Sequence, residues 1–168
     1  GWYRNALQAA SGRGHKEVAR LLLDNGADIN AQGGEFGSAL QVASGSGYKE
    51  LAQLLLERGA DVNAQGGDLY NALQAACYGG HKELAELLLE RGADVNAQGG
   101  ECGNALQAAS FNGNKELVEL LLEKGADVNA QGGLFGNALQ AASYNGNKEL
   151  VELLLKSGAD VNTQGGLN

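Results

Sequence analysis

The sequence contains no proline and no methionine, only two cysteines and two histidines, and 12 basic against 20 acidic residues. Two cysteines are too few for the disulfide framework of a small secreted domain. No run approaches the roughly 18 consecutive apolar residues that a membrane span needs, and no signal-peptide core opens the chain. A formal net charge of −8 argues against nucleic acid and anionic membranes as partners, because both bind cationic surfaces.

The chain repeats itself every 33 residues. The strings Ala-Leu-Gln and Gly-Ala-Asp-(Val/Ile)-Asn each recur five times at that spacing. Most of the 27 glycines fall at repeated positions, so they mark turns and not low complexity. Stacked units share a core that none could form alone, so we expect a single domain over residues 1–168. The units cover approximately residues 1–33, 34–66, 67–99, 100–132 and 133–168.

Each unit predicts two helices and a turn. An Asn or Ser followed three residues later by Gln, as at Asn137 and Gln140, indicates the capped start of a first helix. A mid-unit glycine such as Gly146 then breaks the chain. The second helix, about Lys115 to Lys124 in the fourth unit, carries leucines at helical spacing and precedes a glycine that favours a left-handed cap. The next stretch contains a Gly-Gly pair and predicts an extended loop or hairpin tip.

Together these features resemble the ankyrin repeat. Ala-Leu-Gln-Ala-Ala, a central glycine, Leu-Leu-Leu and Gly-Ala-Asp-Val-Asn-Ala recur in register along the whole chain. The resemblance implies an all-α fold, an ankyrin-repeat solenoid of five helix-turn-helix units joined by β-hairpin loops. The first helix departs from the family's usual Thr-Pro-Leu-His, because it reads Asn-Ala-Leu-Gln, a variant that resembles fungal ankyrin arrays. This departure leaves open how the hairpin is tied to the first helix.

Few residues suggest chemistry. His15 and His81 share a repeat position at the expected start of the second helix, and neither has a serine or cysteine at relay spacing. Cys77 replaces a serine and should be small and buried, while Cys102 occupies a loop position. The string from Asp61 resembles the start of a calcium loop but has alanine where glutamate is needed, so the aspartate should bond turn amides. We predict no enzyme, no metal, no cofactor and a cytoplasmic location.

Positions that vary on a repeated scaffold are candidates for recognition. Variation concentrates in the loop before the first helix and at the end of that helix. Tyr78, Phe111 and Tyr144 share one position in three successive units, and stacked helices would place them roughly 10 Å apart as an aromatic ladder. Packing between units is an equal alternative for these rings. By the resemblance, both regions face the concave side, where ankyrin proteins bind partners. The neighbouring candidates are Arg13, Tyr70, Phe135, Phe36, Trp2 and Tyr3.

These patterns predict a non-catalytic protein-interaction module that binds a protein or peptide on its concave face. The glutamates of the second helices add a mild preference for basic partners. The alternative is a structural spacer or a consensus-like engineered scaffold without a native partner, since the last two units match at 27 of 33 positions. The start at Gly1 and the lack of a polar cap in the last unit predict a piece of a longer array, or end-to-end association.

Overall fold

The computed structural model describes residues 3–165, which form ten α-helices in five successive pairs. The first helices of the units span Ala6–Ser11 (α1), Ala39–Gly45 (α3), Ala72–Tyr78 (α5), Ala105–Asn112 (α7) and Ala138–Tyr144 (α9). The second helices span Lys16–Asp24 (α2), Lys49–Glu57 (α4), Lys82–Glu90 (α6), Lys115–Glu123 (α8) and Lys148–Lys156 (α10). Each helix packs on the other helix of its unit, the first helices pack on one another along the whole array, and the second helices pack on one another from α2 to α8. This arrangement confirms the expected all-α solenoid. Every helix in the described range is too short or too polar to cross a bilayer.

The helix boundaries follow from local hydrogen bonds and backbone angles. Each first helix begins after an Asn or Ser whose side chain accepts a bond from the backbone N–H of the glutamine three residues on. Ser38 and Gln41 complete the reciprocal capping box. The second helices lie between two left-handed glycines, as at Gly113 and Gly125, whose φ angles are +80° and +89°. The predicted starts and stops of both helices are therefore confirmed.

The core is a column of leucine and alanine side chains that crosses the boundaries between units. Leu51, Leu84 and Leu117 hold the same position in successive second helices, and none is more than 2% exposed. The first helices contribute alanines such as Ala76 and Ala109, which are fully buried. These small side chains let neighbouring first helices approach closely, and this fixes the spacing of the residues at their ends.

A glutamine ties each first helix to the hairpin that follows it, and in the first four units this glutamine is buried. Nε2 of Gln107 donates to the carbonyl oxygens of Gly132 at 3.1 Å and Gly136 at 2.8 Å. The side-chain amides of four other glutamines bond the following loop in the same way, at Gln8, Gln41, Gln74 and Gln140. A buried donor or acceptor without a partner costs about 1–3 kcal/mol, so the repeated glutamine stabilises every junction. This bond answers how the hairpin and the first helix are connected.

The loops between units are tight tips that stack on one another. Within residues 3–165, the β-type pairing consists of one isolated bridge in each of two tips, as between Gly132 and Gly136. Neighbouring tips are joined through the backbone, where the N–H of Asp68 donates to the carbonyl oxygen of Glu35 at 2.8 Å. The expected hairpins are thus present as short tips without a sheet. They hold the variable loop residues in a row beside the first helices.

Candidate partner-binding surface

Four aromatic rings form a continuous row at the first-helix ends of the last three units. Tyr78 and Phe111 stack with 6.1 Å between their ring centroids and 12° between their planes. Phe135, from the loop of the fifth unit, stacks on Phe111 at 4.6 Å and contacts Tyr144 at 5.4 Å. We call these four residues the aromatic row. The predicted spacing of about 10 Å is wrong for Tyr78 and Phe111, whose rings lie closer than the helix axes would place them.

The members of the row differ in exposure. Tyr144 is 75% exposed and Tyr78 is 43% exposed. Phe111 and Phe135 are half-buried. The two phenylalanines therefore make contacts between units, whereas much of the surface of the two tyrosines is accessible to a partner. The sequence predicts Phe135 only as a neighbour of Tyr78, Phe111 and Tyr144. In the structure it lies inside the aromatic row, between Phe111 and Tyr144.

A second aromatic pair and a pocket lie at the other end of this surface. Tyr3 and Phe36 are in contact, with 6.0 Å between ring centroids. Between this pair and Tyr78 lies a concavity of about 240 Å³, which we call the Gly45 pocket. Its lining consists of Tyr3, Phe36, Gln41, Val42, Gly45, Ser46, Leu69 and Tyr78. The sequence alone does not identify Gly45 or Leu69 as a site residue, although each shares its repeat position with aromatic residues of other units.

The remaining candidates lie apart from the row. Tyr70 sits at a loop tip in the left-handed region, with φ +61°, and its ring lies across the backbone of Gly99. Arg13 is exposed in the turn that follows the first helix α1. Trp2 falls outside the described residues. The geometry thus groups eight aromatic and apolar side chains around the pocket and the row, and it does not bring Tyr70 into that group.

The acidic residues form two separate sets. On the second helices, glutamates pair with lysines, as where Nζ of Lys82 lies 3.1 Å from Oε2 of Glu116 and this bond raises the pKa of the lysine. Such exposed pairs contribute little stability. At the loop tips, by contrast, Glu35, Asp68 and Glu101 are exposed, and within residues 3–165 they form no ion pair. These tips therefore carry exposed carboxylates outside ion pairs, and the side chain of Arg4 lies against Gly33 in the first of them.

The residues that could suggest chemistry have structural roles. His15 and His81 directly precede the second helices α2 and α6, as predicted, and a ring nitrogen of His81 lies 3.2 Å from the carbonyl oxygen of Gly45. Cys77 is fully buried, which raises the pKa of its thiol, and burial raises the pKa of Cys102 to about 11. Both thiols are free and stay protonated near neutral pH, which makes them poor nucleophiles. In the described range, no three potential metal ligands cluster.

The repeated aspartate belongs to the turn between units. Oδ1 of Asp61 accepts a bond from the N–H of Asn63 at 2.9 Å, which confirms the predicted role. Nδ2 of Asn63 then donates to the carbonyl oxygen of Gly92 at 3.0 Å, and its Oδ1 accepts from the N–H of Asp94 at 2.9 Å. The asparagine at this repeat position therefore links each unit to the next, on the side of the second helices.

The two end faces of the array expose apolar side chains. Val18 and Leu21 are exposed at the first unit, whereas Leu51 and Leu54 occupy the same positions in the second unit and are buried. At the last unit, Val161 is exposed, together with Leu155. These faces are the surfaces that a neighbouring unit covers inside the array.

Comparison of the amino-acid sequence with protein-family models gives an independent test of the fold. Four overlapping segments of the chain, residues 2–66, 36–99, 64–132 and 99–165, match the model described as ankyrin repeats (3 copies). In a comparison with curated proteins, no sequence matched the chain. The matched segments together extend over the five helix pairs, the left-handed glycines and the stacked tips, so the chain belongs to the ankyrin-repeat family.

Proposed function

We propose that this chain is a non-catalytic module that binds a protein segment along the aromatic row and the adjoining loop tips. Ankyrin repeats in general are protein-interaction modules, and the family is generally non-enzymatic. The observation that carries the proposal is the contact between four successive rings, of which Tyr144 stays largely accessible and Tyr78 partly accessible. Tyrosine is enriched in binding hot spots because it buries a large area with few rotatable bonds.

The scaffold beneath the row supports tight recognition. The rings stand on short helices whose alanines are fully buried and whose glutamines bond the following loop. A surface that is ordered before binding loses little conformational entropy when a partner arrives. Rigid presentation of adjacent rings is the mechanism that we propose for the module.

The charge of the surface suggests the kind of partner. Glu35, Asp68 and Glu101 lie at successive tips beside the rings, and the whole chain has a formal net charge of −8. Complementary charge speeds association and selects partners, so we propose a protein segment with basic residues. The same charge argues against nucleic acid and anionic membranes as ligands. We also propose the cytoplasm as the compartment.

The test compares two triple variants in a quantitative pull-down from a cell lysate. The row variant carries Tyr78→Ala, Phe111→Ala and Tyr144→Ala. The control carries Glu50→Asp, Glu83→Asp and Glu149→Asp, which shorten three exposed side chains at one repeat position of the second helices and keep the net charge. Circular dichroism must show the same helix content for both variants and the parent. We expect proteins captured by the parent and the control to be lost by the row variant.

Two other outcomes would contradict this assignment. Capture that survives in the row variant but fails in the control would move the site to the second helices. Capture of the same background by all three proteins would favour a structural spacer or scaffold, the function that the 27 identical positions of the last two 33-residue units support.

We also propose that residues 1–168 associate end to end at high concentration through the exposed faces at Val18, Leu21 and Val161. Non-identical faces that meet in this way produce open chains of molecules. Sedimentation velocity would show a mass that increases with concentration, and Leu21→Lys should abolish that increase. An increase that persists in the variant would overturn the proposal.

A further inference from the structure

We infer that the Gly45 pocket is the socket for an aromatic side chain of a partner segment with basic residues beside that ring. The inference rests on the interaction function proposed above and adds the chemistry of the partner. It depends on three observations: which side chains are absent at the pocket, how large it is, and which charges lie at its mouth.

The pocket exists because two repeat positions hold smaller side chains in one pair of units than in another. At the junction of the fourth and fifth units, Phe111 and Phe135 occupy these positions and stack at 4.6 Å. At the junction of the second and third units, the same positions hold Gly45 and Leu69. The backbone arrangement repeats, so the space that stacked rings fill at one junction is open at the other.

The first unit shows that the chain fills such a gap when it supplies a ring. Gly12 holds the same repeat position as Gly45, and the ring of Tyr3 lies directly against it, so that a Cβ added there would require the ring to shift. A Cβ added to Gly45 would instead meet only Leu69 at 3.6 Å and Ala75 at 3.7 Å, which is ordinary contact. Rings therefore lie at the ends of α1 and α5, on either side of the pocket. Within the described residues, no ring lies against the Cβ position of Gly45, at the end of α3.

The size and lining of the pocket suit one side chain. Its volume is about 240 Å³, and the groups around it include Tyr3, Phe36, Val42 and Leu69. An apolar cavity of about 150 Å³ already binds benzene, whereas drug-sized ligands occupy about 300–1,000 Å³. Tyr78 both lines the pocket and stacks on Phe111, so an inserted ring would extend the aromatic row.

The charges at the mouth indicate what flanks the ring. Glu35 directly precedes Phe36, and Asp68 directly precedes Leu69, so two of the three loops that line the pocket carry a carboxylate, whereas Arg4 follows Tyr3 in the third loop. Both carboxylates are exposed, and within residues 3–165 neither forms an ion pair. Lysine or arginine beside the inserted ring would complement this charge.

Defined peptides test the inference directly. The probes are Gly-Lys-Lys-X-Lys-Lys-Gly with Trp, Phe or Ala at X, and the Trp peptide with Glu in place of every Lys. Each is titrated into the ¹⁵N-labelled chain while the amide signals of Gly45 and Ser46 are followed. We expect saturable shifts with Trp and Phe, and at least about tenfold weaker binding with Ala at X or with Glu flanks.

Variants locate the binding. Gly45→Tyr places in the pocket the kind of ring that the chain carries at positions 78 and 144, and it should abolish binding of the Trp peptide. Gly45→Ala, which adds only a Cβ, should weaken binding less. The matched control, Gln53→Tyr, adds the same ring at an exposed position of α4 and should leave binding unchanged. If Gly45→Tyr fails to fold, Leu69→Phe fills the pocket from the loop side.

Three results would contradict the proposal that the Gly45 pocket binds an aromatic side chain. They are equal binding of the Ala and Trp peptides, undiminished binding to Gly45→Tyr, and no saturable shift with the Trp peptide at millimolar concentration. A protein partner that the row variant loses and Gly45→Tyr retains would overturn the socket but keep the proposed interaction function. A partner that both retain would contradict both.

Discussion

Phe135 stacks on Phe111 with 4.6 Å between ring centroids. At the junction of the second and third units, Leu69 and Gly45 hold the same two repeat positions. One backbone geometry thus supports either a stacked pair or a pocket. Side-chain size at two positions decides between them, and this makes the pocket a sensitive point for substitution.

We expect Gly45→Tyr to stabilise the chain. Replacing a glycine at the end of α3 by any helix-compatible residue contributes about 0.5–1 kcal/mol, and burial of the ring adds apolar area at about 25 cal/mol per Å². The free energy of unfolding in urea should rise by about 1–2 kcal/mol in total. Gly45→Ala is the control for the backbone contribution. If the tyrosine variant were no more stable than the alanine variant, the ring would not enter the pocket.

Gln107→Ala should destabilise the chain by about 1–3 kcal/mol, because it removes the side-chain donor that bonds the carbonyl oxygens of Gly132 and Gly136 in the following loop. Nε2 of Gln107 donates to Gly136 at 2.8 Å, inside the array. The matched control is Gln140→Ala, since Gln140 bonds Gly165 at 3.2 Å in an exposed position where water replaces the lost donor. Urea denaturation measures both. Equal losses for the two variants would contradict a special role for the buried bond.

Tyr70→Gly should be more stable than Tyr70→Ala by about 1 kcal/mol, because a left-handed backbone strains every residue that has a Cβ. Tyr70 has φ +61°, and the corresponding residues Gly37, Gly103 and Gly136 are glycines with positive φ. Both variants lose the contact of the ring with Gly99, so their difference isolates the strain. Thermal or urea denaturation gives that difference. Equal stability would show that the tip relaxes around a Cβ.

The stability of the chain should fall as the pH rises above about 9. Burial raises the pKa of Cys77 above its ordinary 9.0, so at high pH the unfolded chain loses a proton that the folded chain keeps. The folded state is then disfavoured by about 1.4 kcal/mol per pH unit for this thiol. Cys77→Ser, the residue found at this position in the other units, should reduce the slope between pH 8 and 10.5. An unchanged slope would mean that Cys77 does not cause the effect and would direct attention to Cys102, the other thiol whose pKa burial raises.

The sequence by itself determined the features that depend on short stretches of chain. The unit length is visible as the 33-residue repeat, and the capped starts and the glycine stops follow from bonds between residues at most five apart and from φ angles open to glycine. The second helix of the fourth unit, predicted over Lys115 to Lys124, ends at Glu123. Even the turn bond of Asp61 to Asn63 was predictable, because the two residues are near neighbours.

Only the tertiary structure decided what lies between the units. Gln107 bonds residues 25 and 29 positions further on, and Phe111 meets a loop residue of the next unit. Such contacts depend on how closely one unit stacks on the next, a distance that buried alanines set and that no single unit encodes. For the same reason, an aromatic ladder was visible in the sequence, but the place of Phe135 within it and the pocket at Gly45 were not.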